Sequence, residues 1–220
     1  SKIANELSDL NYRGVIRFSG FVEPMLDKKI FDHIYTFKKL CPNSRIEIVT
    51  NGDPLNVNRL KRLFESGLDK ILISVYDGKE DVIKFQKMID ELKLKQDQYI
   101  VRDRSLPEDQ DFGITLSNRA GMMENAEYQI PKTSSPLDNP CYIPSYTLFF
   151  DYLGDVLMCP HDWGKKIILG NLKKEKLLDI WFKEKSIKIR KILTNKNRNF
   201  SPCNVCDVDG TLMGEKNAQY

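Results

Sequence analysis

Two spacings of apolar residues alternate over the first hundred positions. Short aliphatic and β-branched runs at 13–19 (RGVIRFS), Arg45–Thr50 (RIEIVT) and 70–76 (KILISVY) have strand length and stop at Gly, Asn or Asp. Between them the apolar residues recur at helical spacing. Ile30, Phe31, Ile34 and Tyr35 share a face over 27–40, with Asp27 as N-cap. Val57, Leu60, Leu63 and Phe64 do so over 56–66, ended at Gly67, and Val82, Phe85, Ile89 and Leu92 over 79–94. A fourth strand is expected at 98–101 and a fifth at 112–116. Strands separated by helices of this length need crossover connections, so the pattern predicts a parallel sheet covered by helices, an α/β fold.

Ligands of such sheets bind beyond the C-terminal ends of the strands. The segments expected there are rich in hydroxyl, amide and small residues: Ser19-Gly20-Phe21-Val22-Glu23-Pro24, Thr50-Asn51-Gly52-Asp53, Ser74-Val75-Tyr76-Asp77-Gly78 and Ser117-Asn118-Arg119-Ala120-Gly121. Asn-Gly and Asp-Gly make turns on their own account. Four such segments on one side of a sheet point to a small-molecule pocket. A proline-rich stretch through Pro131, Pro136 and Pro140 marks the expected division into 1–130 and 131–220. The second part begins with a hairpin over 147–158 turning at Leu153-Gly154-Asp155. A run at 167–172 follows, then a helix from Lys174 with Leu177, Leu178 and Trp181 inward.

With 220 residues, 41% of them hydrophobic, and a net charge of +3, the chain has material for one domain plus a small appendage. No apolar run reaches membrane-spanning length and the N-terminus has no signal-peptide pattern, so a cytoplasmic location is expected. Seven basic residues against one acid lie between Lys183 and Arg198. The interleaved Ile187, Ile189, Ile192 and Leu193 make this the solvated face of a helix, and a nucleic-acid footprint is not expected.

Of five cysteines, Cys41 stands alone and reads as a half-buried thiol. The other four form a set: seventeen residues separate Cys141 from Cys159, and Cys203 and Cys206 make a Cys-x-x-Cys knuckle. Without a secretory context, such a set reads as a metal site rather than as disulfides. Four thiolates from a hairpin and a knuckle suit an iron–sulfur cluster or a zinc ion.

Taken in order, the S-G-F-x-E-P, T-N-G-D, S-x-Y-D-G and S-N-R-x-G segments, the cysteine set, and G-N-L with D-I-W (Gly170, Asn171, Leu172, Asp179, Ile180, Trp181) resemble radical S-adenosylmethionine (SAM) enzymes with a twitch or SPASM-type auxiliary-cluster domain. The likeness runs from about Leu10 to Cys206. It implies a partial (β/α) barrel missing its first strand, followed by a small hairpin–helix domain. It implies a radical SAM oxidoreductase acting on a small polar, sugar- or cyclitol-like substrate, with flavodoxin or ferredoxin as electron partner. Ser19, Gly20, Glu23, Thr50, Asn51, Ser74, Ser117 and Asn118 would then contact SAM, and Arg119 and His161 the substrate. Cys141, Cys159, Cys203 and Cys206 would hold an auxiliary four-iron four-sulfur cluster that relays electrons, with zinc as the alternative metal.

The sequence departs from the family at three places. Val22 stands where the family has glycine, and its β-branch restricts the backbone there. His161 stands where a related dehydrogenase has an acid, which implies a substrate with negative charge or without an amine. The Cys-x-x-x-Cys-x-x-Cys loop that holds the SAM-binding cluster has no counterpart in this sequence. SAM cleavage is therefore expected only with that segment supplied. A peptide-modifying maturase, or a non-catalytic metal-binding scaffold of the same descent, are the alternative functions.

Overall fold

In a computed structural model of the chain, residues 2–104, 117–123 and 130–210 are described; the strand expected at 112–116 lies outside them. Two compact units form, Ser1–Thr115 and Leu116–Tyr220. The division falls ahead of 130, because Asn118 is hydrogen-bonded to Val205 and Asp207 of the second unit.

In the first unit, strands β1 (Val15–Phe18), β2 (Arg45–Thr50), β3 (Lys70–Val75) and β4 (Tyr99–Asp103) lie in that order, all parallel. Helices α2 (Ile30–Leu40), α3 (Val57–Glu65) and α4 (Lys79–Glu91) connect them. Ile46, Ile48, Ile71 and Ile73 face these helices and are fully buried, packed with Ile34, Leu60, Leu63, Phe85 and Ile89. Each such burial contributes roughly 1.5–3 kcal/mol. The alternate positions carry polarity: Glu47, only 4% exposed, pairs with Arg17 at 2.6 Å and Arg45 at 2.9 Å. Asp69 fastens the strand starts to α2 by accepting from the Ile46 N–H at 2.7 Å and from Lys38 at 2.9 Å.

β2 and α3 fall where the pattern puts them, and Asn56 caps α3 by accepting from the Arg59 N–H at 2.9 Å. α2 starts at Ile30 rather than at 27. Pro24 opens a 3-10 turn over Pro24–Leu26, and the Asp27 carboxylate accepts from the Lys29 N–H instead of capping the helix. Tyr35, expected inward, is exposed. An unexpected helix, α1 (Lys2–Asp9), buries Ala4 and Leu7 and packs on α2. The Cys41 thiol is fully buried and donates to the Ala4 carbonyl.

The second unit holds a three-stranded antiparallel sheet of β5 (Phe149–Phe150), β6 (Asp155–Leu157) and β7 (Ile168–Asn171). Asp151 shapes the β5–β6 turn: it accepts from the Leu153 and Asp155 N–H groups at 2.8 and 3.0 Å and pairs with Lys165. Around the sheet lie the short helix α5 (Ile143–Tyr146), α6 (Leu177–Phe182) and α7 (Glu184–Thr194). On α6 the inward residue is Ile180, whereas Leu178 is exposed.

The basic run from Lys183 is only partly a solvated face. Its five lysines are exposed, but Arg190 and Arg198 are 3% and 2% exposed. Arg190 lies over the Trp181 ring at 4.4 Å and donates to the Trp181 carbonyl at 2.7 Å. Among the described residues no helix is long and apolar enough to cross a membrane.

Candidate functional site

At the C-terminal rim of the first sheet, one carboxylate ties two chain segments together. Glu23 Oε1 accepts from the Met25 N–H at 2.8 Å and from the Thr50 hydroxyl at 2.7 Å, and Oε2 accepts from the Asn51 N–H at 2.8 Å. Thr50 Oγ1 in turn accepts from the Gly52 N–H at 3.0 Å. Gly52 sits at φ +86°, and a Cβ there would come within 2.3 Å of the Phe85 ring, so the turn admits no side chain. Three of the residues expected at SAM, Glu23, Thr50 and Asn51, are thus in direct contact. Ser19 and Gly20 follow β1, and Ser74 is buried near the end of β3. Oε2 keeps acceptor capacity beyond the Asn51 bond, and an ammonium group suits it.

In the second unit the four cysteines are free thiols. Cys159, Cys203 and Cys206 are at most 9% exposed and Cys141 is half-buried; Cys159 and Cys203 share a core with Ile143, Met158, Ile189 and Leu193, against which Cys141 packs. Burial pushes all four thiols up, Cys159 to about 12, and charge on neighbouring cysteines adds to the rise at Cys159, Cys203 and Cys206. Main-chain N–H groups two residues on point at three of the sulfurs: Ile143 at Cys141, His161 at Cys159 and Val208 at Cys206. These donors would stabilise thiolates once a metal centre replaces the protons. A Cβ on Gly210, at φ +70°, would lie 2.5 Å from Cys141 Sγ, so the chain closes tightly on this sulfur.

This donor set fits an iron–sulfur cluster. The ligands are soft sulfurs without disulfides, in an apolar shell with N–H donors. A single zinc ion needs its sulfurs about 2.3 Å from one centre. Among the described residues no three His, Cys, Asp or Glu side chains are arranged to hold one ion. The four soft sulfurs by themselves suit a zinc ion as well as a cluster.

The segment after 116 carries the remaining candidates. Ser117 Oγ and His161 Nδ1 are 3.0 Å apart. Burial, and then the Arg119 charge, hold the imidazole down at about 4, so it is neutral near pH 7. The Arg119 guanidinium lies 4.9 Å over the Trp163 ring. Arg119, Ala120 and Gly121 are all left-handed, with φ of 49°, 53° and 85°. For the first two residues that conformation costs about 1–2 kcal/mol each.

Asn118 holds this turn in place and is fully buried. Its Nδ2 donates to the Val205 and Pro131 carbonyls at 2.7 and 3.1 Å, and Oδ1 accepts from the Gly121 and Asp207 N–H groups at 3.3 and 3.4 Å. Its own N–H donates to Asp207 Oδ2 at 2.7 Å. The amide is saturated by protein, so Asn118 serves as a bolt between its loop and the Cys203–Cys206 knuckle. Sequence reasoning placed it at the cofactor. Asp162, also fully buried, caps the turn after Cys159 by accepting from the Lys166 and Ile167 N–H groups.

Comparison with known proteins agrees with this chemistry. The SPASM family, an iron-sulfur cluster-binding domain, matches residues 141–207. The S-adenosyl-L-methionine-dependent 2-deoxy-scyllo-inosamine dehydrogenase of Niallia circulans is 30% identical over 207 residues, which is 93% of this chain and 77% of that protein. The crystal structure of BtrN in complex with AdoMet and 2-DOIA superimposes with a TM-score of 0.80 at 29% identity, over 97% of this chain and 81% of the other. BtrN in an open conformation gives 0.68 at 22% identity, over 96% and 83%, and shares the fold.

Proposed function

The chain belongs to the radical SAM enzymes that carry a SPASM iron–sulfur domain, and we propose that it is an oxidoreductase of a small polyol, sugar- or cyclitol-like. In this reading the first unit is the larger part of a partial (β/α) barrel that binds SAM, and the second is the auxiliary-cluster domain. When bound, SAM with its own cluster would supply the hydrogen-abstracting oxidant, and an auxiliary four-iron four-sulfur cluster held by the four cysteines would supply an electron acceptor.

The protein's part is binding and alignment. Glu23, fixed by Met25, Thr50 and Asn51, receives the methionyl ammonium of SAM. Ser19 and Ser74, at the ends of β1 and β3, face its remaining polar groups. Oxidising an alcohol to a carbonyl removes two electrons and two protons. Hydrogen abstraction takes one of each, so a second electron must leave as the hydroxyl proton departs. Cys141, Cys159, Cys203 and Cys206 would hold the acceptor for that electron. Arg119 and His161 contact the substrate. The guanidinium, stacked on Trp163, donates to hydroxyl or anionic oxygens. Flavodoxin or ferredoxin is the external electron partner.

The observation that carries the reading is the set of four unpaired, mutually interacting thiols inside the matched SPASM segment. Anaerobic reconstitution of the chain with ferrous iron and sulfide tests it. The product should be brown, with about four irons and four sulfides per chain, and Cys203→Ser should lose them. A colourless protein that takes up one zinc instead would reject the electron-accepting role.

A further inference from the structure

Arg198, expected on the solvated face of a helix, is among the most buried side chains of the described residues at 2% exposure. Its guanidinium donates to four main-chain carbonyls: Nε to Asn139 at 2.9 Å, Nη1 to Val208 at 2.7 Å, and Nη2 to Pro140 at 3.0 Å and Asp209 at 2.5 Å. Asn139 and Pro140 lead directly into Cys141. Val208 and Asp209 follow directly on Cys206-Asp207, and the Val208 N–H points at the Cys206 sulfur. The next residue, Gly210, packs against Cys141, and its carbonyl accepts from the Tyr142 N–H at 2.8 Å. One side chain therefore joins the segment that enters the first cysteine to the segment that leaves the last.

We propose that Arg198 is a positioning residue of the four-cysteine centre, whose fork fixes the Cys141 and Cys206 segments and whose buried charge raises the electron affinity of the cluster held there. This rests on the iron–sulfur reading above. All four hydrogen bonds go to neutral carbonyls, which orient the guanidinium without cancelling its charge. Arginine stays protonated under any condition that leaves the protein folded. A cluster on four thiolates is anionic and gains further negative charge on reduction. A fixed cation nearby in a low-dielectric core favours the reduced state.

The test compares the reconstituted chain with Arg198→Lys and Arg198→Gln, reading iron retention during chelator challenge and midpoint potential by spectroelectrochemical titration. Lysine keeps the charge but cannot span four carbonyls. Arg198→Lys should hold its potential near that of the unsubstituted chain while losing iron faster. Arg198→Gln should lose iron faster and also become harder to reduce, on the order of tenfold in the reduction equilibrium, which is 59 mV for a one-electron couple. Equal retention and potential in all three proteins would overturn the proposal, as would equal potential shifts in both variants. Unfolding of both variants would mark Arg198 as a folding residue alone and overturn it too. Failure of the unsubstituted chain to take up iron and sulfide would instead remove the reading on which the proposal stands.

Discussion

Replacing Asn118 tests whether the loop that carries Ser117 and Arg119 is held by the cysteine knuckle. Asn118→Ala removes two well-formed bonds, to the Val205 and Pro131 carbonyls at 2.7 and 3.1 Å, and two longer ones from the Gly121 and Asp207 N–H groups. At about 1 kcal/mol per good bond, with more for buried groups left unpaired, the loss should be about 2–4 kcal/mol. Val205 retains the Thr133 N–H, which keeps the figure from rising further. Asn118→Asp is the sharper probe. It puts a carboxylate against two carbonyl oxygens and beside Asp207. Burial and like charge would raise its folded pKa above the unfolded value of about 3.9. A raised pKa means destabilisation at neutral pH that is relieved as pH falls through the folded value. Both tryptophans, Trp163 and Trp181, lie in the second unit, so urea unfolding followed by tryptophan fluorescence reads that unit alone. Asn118→Asp should be less stable than Asn118→Ala at about pH 7, and the gap should close towards about pH 5. A loss below about 0.5 kcal/mol for the alanine variant, or a gap that does not narrow in acid, would refute the bolt.

Gly52→Ala should destabilise the first unit by at least about 1–2 kcal/mol from the left-handed backbone alone, since its Cβ also meets Phe85, and circular dichroism melting checks this. Gly210→Ala should cut the iron retained after chelator challenge by pushing on Cys141, while the first unit melts unchanged. Burial works to raise the Asp151 carboxyl, but Lys165 and the Asp155 and Leu153 N–H groups outweigh it and hold the group below its usual range. A depressed pKa gives stability that is present above the unfolded value, about 3.9, and is lost as pH falls through the folded one. Asp151→Asn should therefore lower second-unit stability at neutral pH, with the difference shrinking in acid, as urea titrations at several pH values would show.

The elements that read directly were those whose signals are local. β2 has its apolar run and α3 its stripe, so β2 coincides with expectation and α3 lies within one residue of it at each end. The start of α2 did not, because the Pro24 turn ahead of it depends on Glu23, whose partners Thr50 and Asn51 are remote in sequence. That the four cysteines form no disulfides was legible from their spacing, and that Glu23 meets Thr50 and Asn51 from their places after strands. The burial of Asn118 and Arg198 was not legible for one reason: an amide next to a serine, and an arginine among lysines, carry no local mark of burial. Buried polar residues are recognised by the partners they find, and those partners lie 87 residues away for Asn118 with Val205 and 59 for Arg198 with Asn139. The signal that could have raised Arg198 was its place just ahead of the knuckle, after the last apolar residue of α7.

Glu23 has a kinetic consequence. Because Met25, Thr50 and Asn51 already occupy most of its acceptor positions, the rim stands assembled before any guest arrives. If Glu23 receives an ammonium group as proposed, that group would meet a carboxylate already oriented by the protein, and its capture should be governed by diffusion and charge rather than by rearrangement.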